Sequence, residues 1–245
     1  MDALAIAGLS MQNDLSQLNT ISQNLANVLT PAYKREIQVS RAFDSHVDAS
    51  DAAHNGGSPE ARASVSDASV VIDPAIGTLR ATSNPLDVAI ESKGFLEVMT
   101  DNGVAYTRQG NLHLDSAGRL TNGQGFPVSG MGGDLHISGT GLTIDHTGTL
   151  QQAGKAMGQL KLVQFTNPQL LEPLGNGLFG KGGAQISDAA VTTKMKSGFL
   201  EASNVSSPQE MIKLTETVRH FESMQKVFQG YDDVFQKAIT KLGDF

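Results

Sequence analysis

Six histidines, His46, His54, His113, His136, His146 and His220, are the side chains best suited to bind a metal or move a proton near neutral pH. None has the H-E-x-x-H spacing that places two ligands on one helix face; His113, His136 and His146 fall in strand or turn contexts where folding can bring them together. Ser223-Met224-Gln225-Lys226 matches S-x-x-K, but Met224 belongs to an apolar helix face, which leaves Ser223 and Lys226 on its solvated flank. Asp232-Asp233 reads as the polar side of a helix rather than an acid/base pair. The motif Asp-x-x-Gly-x-Leu occurs at 115–120 and at 145–150. It lacks the alternating oxygens and distal glutamate of a calcium loop and reads as a hairpin turn. There is no G-x-S-x-G elbow, Walker loop or G-x-G-x-x-G, and the absence of cysteine removes thiolate metal sites and cysteine nucleophiles. The expectation is a chain with no catalytic residues, no metal ligands and no cofactor.

The elements that would carry these residues follow from periodicity. Leu4, Met11, Leu18 and Leu25 recur every seven residues, with Ala7, Ile21 and Val28 three residues behind and Asp14 as the single break. This predicts a helix over 3–29, ended at Thr30-Pro31 because proline disfavours helix in the residue before it. Near the other end Leu214, Phe221, Phe228, Phe235 and Leu242 keep the same spacing. Met211, Val218 and Ile239 flank them on one side, Met224, Tyr231 and Ala238 on the other. Ser207-Pro208-Gln209-Glu210 is a capping box with proline at the first helical position, so a second helix is expected over 208–242.

The segment 44–70 is rich in Ser, Ala, Asp and Gly and reads as a connector. From 76 to 190 short apolar runs at 95–99, 112–114, 135–137 and 160–163 alternate with glycine-bearing turns, the pattern of an all-β domain. The expected organisation is an N-terminal helix (1–35), an extended connector (36–75), a β-rich domain (76–190), a return connector (191–206) and a C-terminal helix (207–245). The fold class is mixed: an all-β central domain inserted between long N- and C-terminal helices that pair as a coiled-coil-like domain. Neither apolar stripe fits inside the β domain, so Leu4, Met11, Leu18, Leu25, Leu214, Phe221, Phe228, Phe235 and Leu242 are expected to form an assembly interface. A net charge of −7 argues against nucleic acid or anionic membrane as a partner. No run reaches the ~18 apolar residues of a membrane span, and Met1-Asp2-Ala3-Leu4 lacks the basic start of a secretory signal. On these grounds alone the chain is expected in the cytoplasm.

Four stretches change that expectation. Asn24-Leu25-Ala26-Asn27-Val28-Leu29-Thr30-Pro31-Ala32-Tyr33-Lys34 resembles the N-L-A-N-x-x-T-P-G-[FY]-[KR] signature of bacterial flagellar rod, hook and hook-associated axial proteins. Asn84-Pro85-Leu86-Asp87-Val88-Ala89-Ile90 running to Phe95, Tyr106-Thr107-Arg108-Gln109-Gly110, and Gly198-Phe199-Leu200-Glu201-Ala202-Ser203-Asn204-Val205 resemble three further family segments, in the family's order. Asn24, Asn27, Thr30, Pro31, Tyr33 and Asn204 are the motif positions carried over. Arg219-His220-Phe221-Glu222 and the length are similar to the rod proteins, the proximal type ahead of the distal. The resemblance implies a non-enzymatic subunit that assembles with its own copies and other rod proteins into the periplasm-spanning shaft driving the hook. It also implies export through the type III apparatus without a cleaved signal, and the surrounding rings and peptidoglycan as neighbours. A peptidoglycan-binding module is the runner-up from another class; wall cleavage would need a positioned carboxylate pair, and the acids here sit in turns or on helix surfaces. Two positions depart from the family: Ala32 and Ser92 stand where glycine is usual, and a positive φ at Ala32 would be strained by roughly 1 kcal/mol.

Overall fold

The computed structural model describes residues 3–40, 68–137, 139, 141–187 and 194–243. Helix α1 spans Ala3–Ala26 and helix α2 spans Ser207–Gly243. Between them lies a series of short antiparallel pairings. It opens with β1 (Glu36–Ser40), β2 (Ala68–Ile72), β3 (Leu79–Ala81), β4 (Val88–Ile90), β5 (Gly94–Thr100) and β6 (Gly103–Thr107). β1 pairs with β2, so the two ends of the segment read as a connector form a ladder with each other. The middle of that segment, 41–67, lies outside the described residues.

The largest sheet has five strands in the order Leu162–Gln164, β5, β6, Leu178–Gly180, Glu172–Gly175. Successive side chains of a strand point to opposite faces, and β5 uses this to serve two cores. Leu96 and Val98 join Val88, Ile90, Leu112, Leu120, Leu150 and Leu160 on one face. Phe95 joins Ile72, Tyr106, Phe165 and Phe179 on the other. There Phe95 meets Phe165 and Phe179 edge-on at 5.7 and 5.9 Å, and Tyr106 meets Phe165 at 4.9 Å, arrangements the ring quadrupoles favour. Because Ile72 belongs to this second core, the β1–β2 ladder is anchored to the sheet.

Both Asp-x-x-Gly motifs form turns. Asp115 Oδ1 accepts the N–H of Ala117 and Arg119 at 2.9 and 2.8 Å, and Asp145 Oδ1 accepts those of Thr147 and Thr149 at 2.8 and 3.0 Å. Gly118 and Gly148 take φ of 75° and 77°, the left-handed region glycine enters without strain. The Arg119 N–H holds the Asp115 carboxyl below its ordinary value. At Asp145 desolvation pushes upward, but the Thr147 hydroxyl and the turn's N–H groups prevail and lower it. At 135–137, where a strand was expected, Leu135 and Ile137 are buried, but the backbone makes only an isolated bridge, His136 with Arg119.

The expected pair of long, coiled-coil-like helices is not formed. Most of the elements are short β-strands, with a short helix at one end, roughly 36 Å, and a longer one at the other, roughly 55 Å. The helices are antiparallel. Asn24 Nδ2 donates to Glu210 Oε2 at 3.3 Å, and ten residues along each chain in opposite directions Asp14 Oδ2 lies 2.7 Å from His220 Nδ1. Continuing that register sets Ala3 opposite Tyr231, so residues 232–243 extend about 18 Å beyond α1. The buried side chains of the two helices include Asp14, Thr20, Asn24, Glu210 and Thr217 as well as Ala7 and Ile21. Of the two heptad sets, Met11, Leu18, Leu25, Leu214, Phe221 and Phe228 are only half-buried. A seam this polar and this unequal in length lacks the continuous apolar interdigitation of a coiled coil. The side chains of Leu4 and Leu242 lie outside the described residues.

Candidate functional site

The junction between the helices and the sheets is built by the residues that follow α1. After the Thr30-Pro31 turn, Ala32 adopts φ 55°, fully buried, and its N–H donates to the Glu201 carbonyl at 2.8 Å. The strain anticipated at this position is therefore present. The Asn24 amide then acts as a surrogate strand neighbour: its Nδ2 donates to the Glu36 carbonyl and its Oδ1 accepts the Glu36 N–H, both at 2.9 Å. The Tyr33 hydroxyl donates to the same Oδ1 at 3.3 Å, and burial raises the pKa of that phenol. Thr30 Oγ1 donates to Asn27 Oδ1 at 3.1 Å inside the turn. From across the fold, Asn204 Oδ1 accepts the Arg35 N–H at 2.7 Å while its Nδ2 reaches the carbonyls of Asp73 and Ala75. Asn24, Asn27, Thr30, Pro31, Tyr33 and Asn204 thus gather at one place.

Beneath them lies a cluster of buried charge. Glu201 Oε1 accepts from Lys34 Nζ at 2.5 Å and from the Gly77 N–H at 2.9 Å; its Oε2 accepts from Arg108 Nε at 2.8 Å. The side chains of Lys34 and Glu201 are wholly buried and that of Arg108 is 2% exposed. Burial pushes the Lys34 ammonium below its usual value, with Glu201 pulling the other way. Arg108 donates three further N–H groups to the carbonyls of Ile90, Ser92 and Gly94. Gly110, two residues on, accepts the Val88 N–H at 2.9 Å. A Cβ at Gly110 would sit 1.7 Å from the Val88 carbonyl oxygen, which is why this motif carries glycine there. A second pair, Arg35 Nε with Glu210 Oε1 at 2.6 Å, lies alongside. Both Glu210 oxygens go to Arg35 and Asn24, so its carboxylate serves the junction instead of closing the expected capping box.

Lys34, Arg35, Arg108, Glu201 and Glu210 were not among the candidates drawn from sequence. A signal existed for three of them: Lys34, Arg108 and Glu201 are charges standing within the motif stretches that carry the family resemblance, and charges are rarely buried unless paired. At the other departure, Ser92 takes no positive φ, so serine brings no backbone strain; its buried hydroxyl has no hydrogen-bond partner among the described residues. His113, His136 and His146 are exposed, and among the described residues no three His, Asp or Glu side chains gather as a metal site. His46 and His54 lie outside the described residues, and His220 is engaged by Asp14. Ser223, Lys226, Asp232 and Asp233 line exposed helix surface. On α2, Phe235 is 66% exposed. Lys34, Arg35, Arg108, Glu201 and Glu210 each have an opposite charge in contact, while the half-buried Glu36 carboxyl beside them is in no ion pair among the described residues and is pushed up by burial.

Residues 89–152 match the family described as flagellar hook protein FlgE/F/G D1 domain, and residues 196–241 match flagellar basal body rod FlgEFG protein C-terminal. The flagellar basal-body rod protein FlgF of Escherichia coli is 31% identical over 244 residues, covering 93% of each chain. The chain belongs to the flagellar basal-body rod protein family. FlgG of Bacillus subtilis is 30% identical over 94% of this chain and 95% of its own, and FlgF of Caulobacter vibrioides 28% over 99% of both. Arg108 lies in the first matched segment of this rod protein, Glu201, Asn204 and Glu210 in the second, while Lys34 and Arg35 fall outside both.

Proposed function

We propose that the chain is a structural subunit of the flagellar basal-body rod, of the proximal FlgF type, which joins copies of itself and other rod proteins through its terminal helices. The observation that carries this reading is the end of α2. Beyond the last residue opposite α1, Val234, Phe235 and Ile239 are each at least 59% exposed on a helix within the family's C-terminal segment. Apolar surface of that kind is stabilised by burial against another chain. In the rod the stripe Leu4, Met11, Leu18, Leu25, Leu214, Phe221, Phe228, Phe235 and Leu242 faces neighbouring helices, and the β domain faces outward. The shaft lies in the periplasm, next to the surrounding rings and peptidoglycan, and the subunit reaches it through the type III export apparatus without a cleaved signal. The short stretch between α1 and the β domain favours the proximal over the distal type. The cluster charges Lys34, Arg35, Arg108, Glu201 and Glu210 are held in ion pairs, which fits a structural role.

Electron cryotomography of basal bodies carrying the tagged chain tests this. Density on the membrane-proximal part of the rod, and rods that stop there when the chain is deleted, are the expected results. Density on the distal part selects the FlgG type, and complete rods in the deletion strain overturn the reading.

A further inference from the structure

Five stretches of chain converge on the Glu201 carboxylate: its own strand, Lys34 after α1, the Gly77 backbone, Arg108 at the end of β6 and, through Arg108, the turn between β4 and β5. We propose that the Lys34–Glu201–Arg108 cluster is a locked joint. It fuses residues 24–36, residues 201–210 and the β domain into one rigid body, while the helices outward of Asn24 and Glu210 are the parts that adjust to neighbouring subunits.

The argument rests on what each alternative conformation would expose. With two cations and one anion buried together, a swing of the helices that parts Lys34 from Glu201 takes the buried ammonium off its anion and its Ala75 carbonyl and leaves Glu201 with Arg108 alone, a costlier change than the loss of a surface pair. The backbone is tied at the same place. Ala32 N–H donates to the Glu201 carbonyl, Ala202 N–H to the Thr78 carbonyl, and Asn204 bridges Arg35 to Asp73 and Ala75. Outward of the joint the character changes. Leu15, Met211 and Ile212 are more than half exposed. Among the described residues the helix pairing buries mostly small or polar side chains (Ala7, Asp14, Thr20, Thr217) with Ile21 as the one large apolar residue, while the heptad residues Met11, Leu18, Leu214, Phe221 and Phe228 stay half-buried. Regions with few buried apolar contacts open at lower free energy than the core. The boundary of the rigid unit therefore falls inside the helices, at Asn24 and Glu210. That the fixed angle carries torque rests on the rod reading above; the joint itself does not.

Hydrogen exchange on the full chain, read by mass spectrometry, tests the joint. In the wild type, 24–36 and 201–210 should be protected like β5 and β6, and about 100-fold more than 3–20 and 214–243. Lys34→Met keeps the Glu201–Arg108 pair and the stem volume; it should cost the two junction segments about 100-fold in protection and leave β5 and β6 unchanged. Glu201→Gln should give the same pattern, and where it fails to fold, Lys34→Met decides. Wild-type junction segments that exchange as fast as the outer helices overturn the proposal. So does a Lys34→Met loss spread equally over β5 and β6. In cells, a decoupled Lys34→Met subunit that builds rods driving normal swimming would refute the torsional role alone. Absence of the wild-type chain from basal bodies would refute the rod reading and leave the exchange result standing.

Discussion

His220 Nδ1 lies 2.7 Å from Asp14 Oδ2, the one interruption of the N-terminal apolar heptad, and the contact helps set the antiparallel register of the two helices. A break in the apolar stripe is thus a pairing position, and the register it sets decides which end of α2 is left over.

Asp14→Leu should tighten the helix pair by about 1 kcal/mol, because it continues the seam while His220, half-exposed, turns to water. Far-UV circular dichroism during melting should show helix persisting to higher temperature. Asp14→Ala, which removes the contact and adds little apolar surface, should lower it. Earlier helix loss in Asp14→Leu would mean the Asp14–His220 contact outweighs the seam.

Ala32→Gly should stabilise the junction. Relief of positive-φ strain, roughly 1–2 kcal/mol, exceeds the extra entropy of glycine in the unfolded chain, roughly 0.4–1 kcal/mol. The net gain of about 0.5 kcal/mol corresponds to a rise in Tm of a degree or two. A fall in Tm would show that the alanine methyl, buried here, contributes more by packing than it loses in strain.

Stability should decline at alkaline pH. Burial raises the pKa of both the Tyr33 and Tyr106 phenols, so the folded state holds their protons more tightly than the unfolded chain. Their contribution is complete below the unfolded value of about 10 and is lost as pH rises above it. Tyr33→Phe, which cannot ionise, should flatten the fall of Tm above about pH 10 while lowering Tm slightly at neutral pH through the lost Asn24 contact. An unchanged alkaline slope would refute the assignment to Tyr33.

Phe228→Asp should abolish rod assembly. Phe228 is the central member of the C-terminal stripe and half-buried already in the single subunit. A neighbour covering it would enclose an unpaired carboxylate, at several kcal/mol per copy. The Tm of the β domain should hardly move, and Lys226→Asp on the exposed flank should be mild. Motile cells carrying Phe228→Asp would show that this face is not an assembly surface.

The sequence by itself determined the features written within a few residues of each other. Proline at 31 and the Ser207-Pro208 start bracket the helices to within three residues, the Asp115 and Asp145 turns close on their own backbones, and the motifs around Asn24 and Asn204 mark the residues that meet at the junction. These depend on capping, turn chemistry and local φ/ψ preference, which travel with the residues. Only the tertiary structure decided how the pieces combine. Heptads alone suggested a coiled-coil-like pair, but register is fixed by Asn24 with Glu210 and Asp14 with His220, and it strands the last turns of α2. Glu201 pairs with Lys34 across 167 residues and with Arg108 across 93. No periodicity encodes such a match, because burial of a charge depends on which distant segment arrives beside it, and that is settled by packing over the whole chain.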